Sequence, residues 1–406
     1  MNLGALGVIQ APAQGEGTLP VDIVAYLVSW ATASVVLSGV ALVWRGKSVG
    51  VTFAVLTALD AMIAAVGRIS GSREASRCAM PGIGGIAAVL GHACAAPALP
   101  RSLDSFAVFP LWHTKGVAMS PSRPPCVAGA FYPAEPDALK RAVSRHLAAP
   151  AASPPPAVPV RPLVTMLPHA GYVYCGDVIG ATLAEIELPS RLVVLCPNHT
   201  GRGAPLAVWP DGQWLTPVGA VPVDTELTGE LCALAASFGD APPRPVGFAP
   251  DTAAHAGEHS LEVLLPFLLA RVPGVRIAPV CVGTGDGATL HMAGLGLAAL
   301  LEAHAAKGED VALVVSSDMN HYATHERTLE LDEHALAPLL RLDPDGLART
   351  VFAERISMCG VCPMVMALIA ACKRGAAHTR LTRHTTSAAA SGDTSRVVGY
   401  AGVYVW

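Results

Sequence analysis

The stretch Leu163-Val164-Thr165-Met166-Leu167-Pro168-His169-Ala170-Gly171-Tyr172 carries an apolar run straight into a histidine. Such a run, closed by proline and glycine, predicts a buried strand that stops at a loop. The arrangement recurs. Leu192–Cys196 runs into Pro197-Asn198-His199, and Val311–Ser316 runs into Ser317-Asp318-Met319-Asn320-His321. Arg276–Val282 and Val397–Val405 read as further strands. Helix-like spacing fills the intervals at 137–146, 176–187, 224–236, 260–269, 289–305 and 329–340. Strands alternating with helices predict an α/β domain with a central mixed or parallel sheet flanked by helices. In open α/β sheets, ligand sites form beyond the strand C-termini. The three histidine-bearing ends, distant in sequence, are therefore expected to converge.

Two more clusters carry chemistry. Ile356-Ser357-Met358-Cys359-Gly360-Val361-Cys362-Pro363 precedes an apolar, helix-like stretch at 364–372. Cys359 would lie just outside a helix N-terminus, where the partial positive charge favours thiolate. The alternative is a small buried residue at a tight turn. The C-x-x-C spacing has no second pair, which argues against a zinc ribbon. The last cluster is His255-Ala256-Gly257-Glu258-His259-Ser260-Leu261-Glu262. Its H-x-x-E-H spacing matches inverted zinc proteases. That chemistry needs a helix, and Gly257 weakens one. Glu258 and His259 are instead expected to line the same crevice as the strand ends.

Composition narrows the classes. The chain has 406 residues, a net charge of −4 and no basic block, which disfavours a nucleic-acid partner. Ten cysteines scattered over that length do not resemble a secreted disulfide scaffold, and a reducing, cytoplasmic setting fits better. Residues 1–120 differ from the rest. Ile23 to Trp44 lacks charged residues, and Val49 to Gly67 is interrupted only by Asp60. The first run is long enough to span a bilayer, at about 20 residues per helix. A membrane anchor through residues 23–66 is one expectation. An over-extended gene start, with Met119 just before the organised module, is another. A soluble accessory segment is the third. Residues 148–162, with Pro154-Pro155-Pro156, read as a loop or stiff spacer.

The motifs together resemble the Memo-like family, also called AmmeMemoRadiSam system protein B. They begin with Pro125-Cys126-Val127-Ala128-Gly129-Ala130-Phe131-Tyr132-Pro133. Pro168 to Gly176, Pro197-Asn198-His199 and Glu258 to Glu262 follow in order. Ser316-Ser317-Asp318 with Asn320-His321-Tyr322, then Cys359-Gly360, then Ser391 to Ser395 with Val397-Val398-Gly399-Tyr400 complete the match. Residues 121–406 would form the Memo-like domain, behind an unrelated hydrophobic extension at 1–120. The resemblance implies a fold similar to class III (LigB-type) extradiol dioxygenases. It places a metal pocket on His169, His199 and Cys359, with Asp318 and His321 beside it. A cysteine stands where the dioxygenases use a carboxylate, and a thiolate shifts metal preference toward softer ions.

Three functions follow. The first is a copper- or iron-dependent redox enzyme of unknown substrate. In it His321, steered by Asp318, would be the acid/base group, with His259 and Glu258 lining the site. The second is a module that binds a metal ion, peptide or small molecule without turnover. The third is a cysteine hydrolase using Cys359, with His321 or His169 as base oriented by Asp318.

Overall fold

The computed structural model describes residues 121–149, 156–237 and 242–406. The extension at 1–120, with its anchor and gene-start readings, lies outside the described residues, as do Pro154 and Pro155 of the spacer. Among the described residues no helix is long and apolar enough to cross a membrane.

Successive strand residues point to opposite faces. Val193 and Leu195 enter one hydrophobic cluster, while Leu192, Val194 and Cys196 enter the other. Both faces of the sheet are thus covered, which is why these strands read as unbroken apolar runs rather than alternating ones. Helices Gly287–Ala306, His325–Leu340 and Val361–Lys373 cover the first face. Helices Pro136–Leu147, Tyr172–Ala184 and Leu265–Arg271 cover the second.

Among the described residues the main sheet has nine strands. Their order is His321–Ala323, Val397–Val405, Val164–Leu167, Val311–Ser316, Arg191–Pro197, Arg276–Val282, Leu206–Val208 and Ala249–Pro250, with Thr379–Thr386 paired on Val397–Val405. The four strands from Val164–Leu167 to Arg276–Val282 are mutually parallel. Strand Val397–Val405 flanks them antiparallel, so the sheet is mixed. Register pairs Ser316 with Leu167 and Val315 with Leu195. The segments beginning Pro168, Asn198 and Ser317 therefore leave one edge together.

All six expected helices differ in their bounds: Pro136–Leu147 and Gly287–Ala306 by no more than two residues at either end, and His325–Leu340 by starting four residues before the expected Leu329. The stretch expected as one helix at 260–269 is a 3-10 turn, Glu262–Leu264, followed by helix Leu265–Arg271 with Pro266 in its first turn. The helix expected at 224–236 is Thr225–Ala233: it starts one residue late, because Asp224 is its cap and accepts from the Leu227 N–H, and it ends early, because Ala235–Ala236 pairs as a strand with Arg244–Pro245. Helix Tyr172–Ala184 begins four residues earlier than the expected Gly176.

The start of the described chain is bound into the core. Strand Ser122–Arg123 pairs in parallel with Gln213–Thr216. The Arg123 side chain is buried over the Trp214 ring, 4.1 Å from its centroid. Its Nη1 donates to Glu262 Oε2 at 2.7 Å, both groups being at most 1% exposed. The backbone N–H groups of Cys126 and Val127 and the Tyr132 hydroxyl also donate to Glu262. Burial opposes ionisation of Glu262, but the hydrogen bonds from Tyr132, Cys126 and Arg123 outweigh it and hold the carboxyl below its usual range.

That sign sets a pH test. A carboxyl with a depressed folded pKa stabilises the fold above the ordinary value of about 4.3, and the contribution fades as pH falls through the folded value. Urea midpoints of the wild type are expected to drop more steeply with acidification below that value than those of Glu262→Gln. At neutral pH the variant, left with an unpaired buried arginine, is expected to lose about 3–5 kcal/mol. Parallel pH curves would mean that Glu262 does not carry the linkage.

Candidate metal centre

His169 leaves the strand end at Leu167-Pro168 and turns inward, with its backbone N–H donating to Asp318 Oδ1 at 2.8 Å. Its Nδ1 lies 2.8 Å from Ser316 Oγ. Ser316 gives its one hydroxyl proton to the Ser260 carbonyl at 2.6 Å. Ser316 can therefore only accept from the imidazole. That places the ring proton on Nδ1 and leaves the lone pair on Nε2, 3.4 Å from Cys359 Sγ. Burial, and then the neighbouring imidazoles of His259 and His199, push the His169 pKa well down, so the ring is neutral. A neutral imidazole with one fixed N–H is a metal ligand in waiting.

His199 has its Nδ1 anchored by a different partner. Its Nδ1 lies 2.9 Å from Glu258 Oε1, and its backbone N–H donates to Glu258 Oε2 at 2.6 Å. Ser260 adds its N–H and hydroxyl to Glu258 Oε1, at 3.0 and 2.8 Å. Glu258 is fully buried. Burial alone would raise its pKa, but the His199 hydrogen bond and charge, with the Ser260 bonds, bring it to about 2. In return, although burial works against the charged ring, Glu258 raises the His199 pKa. The carboxylate fixes the His199 proton on Nδ1 and turns Nε2 to the pocket.

Cys359 comes from the other side, just before helix Val361–Lys373. The next residue explains how it gets so close. A Cβ on Gly360 would stand 2.4 Å from Ser317 Cβ and 2.5 Å from the Ser316 carbonyl oxygen. Only glycine lets this turn press against the strand end. Gly360 N–H donates to Ser317 Oγ at 3.0 Å, and Asp318 N–H donates to Cys359 Sγ at 3.2 Å. The expected thiolate is corrected here. Burial, and then the Asp318 carboxylate, push the thiol well up, outweighing the backbone N–H groups that favour the anion. A bound cation reverses that balance, because a coordinating thiol is deprotonated outright.

The ligand atoms of His169, His199 and Cys359 all lie within 4.8 Å of one another. Two imidazole nitrogens and a sulfur form a donor set that fits copper, iron or zinc. His199, Glu258 and His259 form a second close group. Glu258 is already surrounded by four donors, so its oxygens serve the protein rather than an ion.

The remaining sequence candidates divide. His259 stacks on His199 at 4.9 Å and meets His169 edge-on at 5.5 Å, so it does line the pocket. Glu258 touches His199 from behind and does not present a reacting carboxylate. Asp318 is buried, with Oδ2 4.0 Å from His169 Nε2, and burial raises its pKa. It does not steer His321, nor does it hold the distal nitrogen of His169. His321 Nδ1 instead lies 2.8 Å from the Ser357 carbonyl, which fixes its proton there and leaves Nε2 free. A bulge at Tyr322, whose φ is +65°, aims His321 by breaking the register with Val397–Val405. The zinc-protease spacing has no helix: residues 253–257 form turns, and His255 is buried with Nε2 on the Ala207 carbonyl. Sequence reasoning missed Ser316, Ser260 and Ser357 as anchors. Ser316 and Ser260 stood inside the family motifs, which was the one signal available.

The Memo-like protein family model matches residues 123–404. A MEMO1 family protein of Ignicoccus hospitalis is 38% identical over 290 residues, covering 69% of this chain and 97% of its own length. One from Methanopyrus kandleri is 34% identical over 293 residues, covering 69% and 98%. One from Archaeoglobus fulgidus is 36% identical over 281 residues, with the same shares.

Two substitutions test the geometry. Ser316→Ala leaves the His169 Nδ1–H and the Ser260 carbonyl without partners, an expected loss of about 1–3 kcal/mol. Gly360→Ala forces the Cys359 turn off the strand end, costing about 1–3 kcal/mol as overpacking does. Urea unfolding measures both, and unchanged midpoints would contradict the packing described.

Proposed function

The chain belongs to the Memo-like family, and from that premise we propose that its His169, His199 and Cys359 hold a copper or iron ion used in redox chemistry on a small molecule or peptide. One observation carries this reading: both imidazoles have their Nδ1 protons bound behind the pocket, which leaves two Nε2 lone pairs beside a sulfur. Kinship with LigB-type extradiol dioxygenases is part of the same reading, supported by the two histidines placed beyond Val164–Leu167 and Arg191–Pro197, the parallel strands on either side of Val311–Ser316. With a thiol in the third position the donors are softer than a carboxylate set, which favours copper over the hardest ions. Extradiol ring cleavage is therefore not the reaction proposed.

The ion, when bound, would supply one-electron chemistry that no side chain here offers. The chain's own groups do the rest. His321 Nε2 accepts or returns a proton, with Ser357 holding its ring. Asp318, buried and raised in pKa, is a second proton carrier. His259 stands half-buried against His199, placed to face an anion. A cytoplasmic location belongs to the same proposal and is supported by the scattered cysteines.

A second reading, a binding module without turnover, is favoured by exposed apolar residues next to pocket residues. Val173 and Tyr174 stand four and five residues after His169, and Tyr322 follows His321, at 68%, 41% and 64% exposure. Such a rim suits a peptide.

Metal analysis of the purified full-length chain is the test. The wild type is expected to carry near-stoichiometric copper or iron, and His199→Ala and Cys359→Ala to lose it. Equal loading of all three would defeat the metal site. Glu258→Gln, which removes the anchor behind His199, is expected to weaken affinity by about 10–100-fold. Oxygen uptake with a reductant separates the readings: loaded protein with no uptake over a broad substrate panel favours the binding module.

A further inference from the structure

We propose that Arg123 is the positioning residue of this pocket, acting through the carbonyls of His255 and Glu258; the proposal rests on the metal-site reading above. Arg123 touches no pocket atom. Besides longer bonds to the Pro124 carbonyl and Cys126 Sγ, both at 3.3 Å, its three guanidinium nitrogens each hold one short acceptor. Nε donates to the His255 carbonyl at 2.8 Å, Nη2 to the Glu258 carbonyl at 2.6 Å, and Nη1 to Glu262 Oε2 at 2.7 Å. The segment so gripped, 255–261, is made of turns and has no ladder or helix of its own.

Both imidazole anchors hang from that segment. The Glu258 carboxylate holds His199 Nδ1. The Ser260 carbonyl takes the Ser316 proton, which lets Ser316 hold His169 Nδ1. A shift of the segment therefore moves the backing of two ligands at once. A planar fork with fixed donor directions is what this geometry requires, and a lysine offers only a point charge on a flexible stem. Trp214 below the guanidinium plane keeps the fork oriented.

A purely structural role would run through the Glu262 ion pair instead. The two roles separate by substitution. Arg123→Lys keeps a positive charge for Glu262 but loses the fork on the two carbonyls. Glu262→Gln removes the ion pair and keeps the fork. The probe is cobalt(II) alone, added to the full-length protein, read by its thiolate charge-transfer and ligand-field bands and by its affinity. Urea stability is measured on the same samples. Arg123→Lys is expected to bind about 10–100-fold more weakly, with shifted bands, as changes behind metal ligands do. Glu262→Gln is expected to lose stability yet keep the wild-type affinity and bands. Wild-type affinity and bands in Arg123→Lys would overturn the proposal, as would an affinity loss in both variants that simply follows stability. Should Arg123→Lys lack a cooperative transition, Arg123→Gln, whose single amide nitrogen cannot replace both Nε and Nη2, is expected to show the same affinity loss and band shift, and wild-type signals there would equally overturn the proposal. Cobalt binding that survives His199→Ala would overturn the metal site itself, whereas its loss there with full retention in Arg123→Lys rejects only the role of Arg123.

Discussion

A carboxylate buried to zero exposure, Glu258, is the constraint around which the pocket is arranged. An ionised carboxylate in an apolar interior is tolerated only where hydrogen bonds and charge partners replace water. Glu258 obtains these from the backbone and ring of His199 and from the N–H and hydroxyl of Ser260. Meeting that need ties the strand end at Pro197 to the turn segment before Glu262. The orientation of His199 is a consequence of satisfying the carboxylate. A few residues on, Glu262 repeats the solution with Arg123, Tyr132 and two backbone N–H groups.

The pocket also separates its protons. Each of its three anchored imidazoles has a different partner on Nδ1: a hydroxyl for His169, a carboxylate for His199 and a carbonyl for His321. The partners give the rings different charge preferences. His169 is pushed toward neutral by burial, whereas Glu258 draws His199 toward the charged form despite burial. His259, stacked on His199 with its Nδ1 3.4 Å from Glu258 Oε1, is lowered chiefly by burial. Groups of one chemical type thus stand ready for different tasks within a few ångströms.

Much of the fold was legible because burial on both sheet faces leaves a plain mark. Strands Arg276–Val282, Val311–Ser316 and Val397–Val405 have the bounds that their apolar runs predict. Elements without that mark escaped. Thr379–Thr386 reads Thr-Arg-Leu-Thr-Arg-His-Thr-Thr and is mostly half-buried, so it shows no apolar run and is held as a strand by pairing with Val397–Val405. Helix Pro344–Ala353 is short and starts with a proline, and its one buried stripe is narrow. The family resemblance, carried by motifs from Pro125 onward, is borne out by the match over 123–404, yet it began two residues after the buried Arg123.

By itself the sequence determined which residues stand at the strand ends, because hydrophobic run length and the proline or glycine after it are local properties. His169, His199 and Asp318 were placed at one sheet edge on that basis, and Cys359 was placed before its helix. Only the tertiary structure decided what each group can do. A proton position depends on the partner behind the ring, and those partners lie 36 to 147 residues away in the chain. The thiol of Cys359 is a clear case. The helix start nearby argued for an anion, but the surrounding burial and the Asp318 carboxylate, fixed by the folded chain, raise the pKa more than the backbone lowers it.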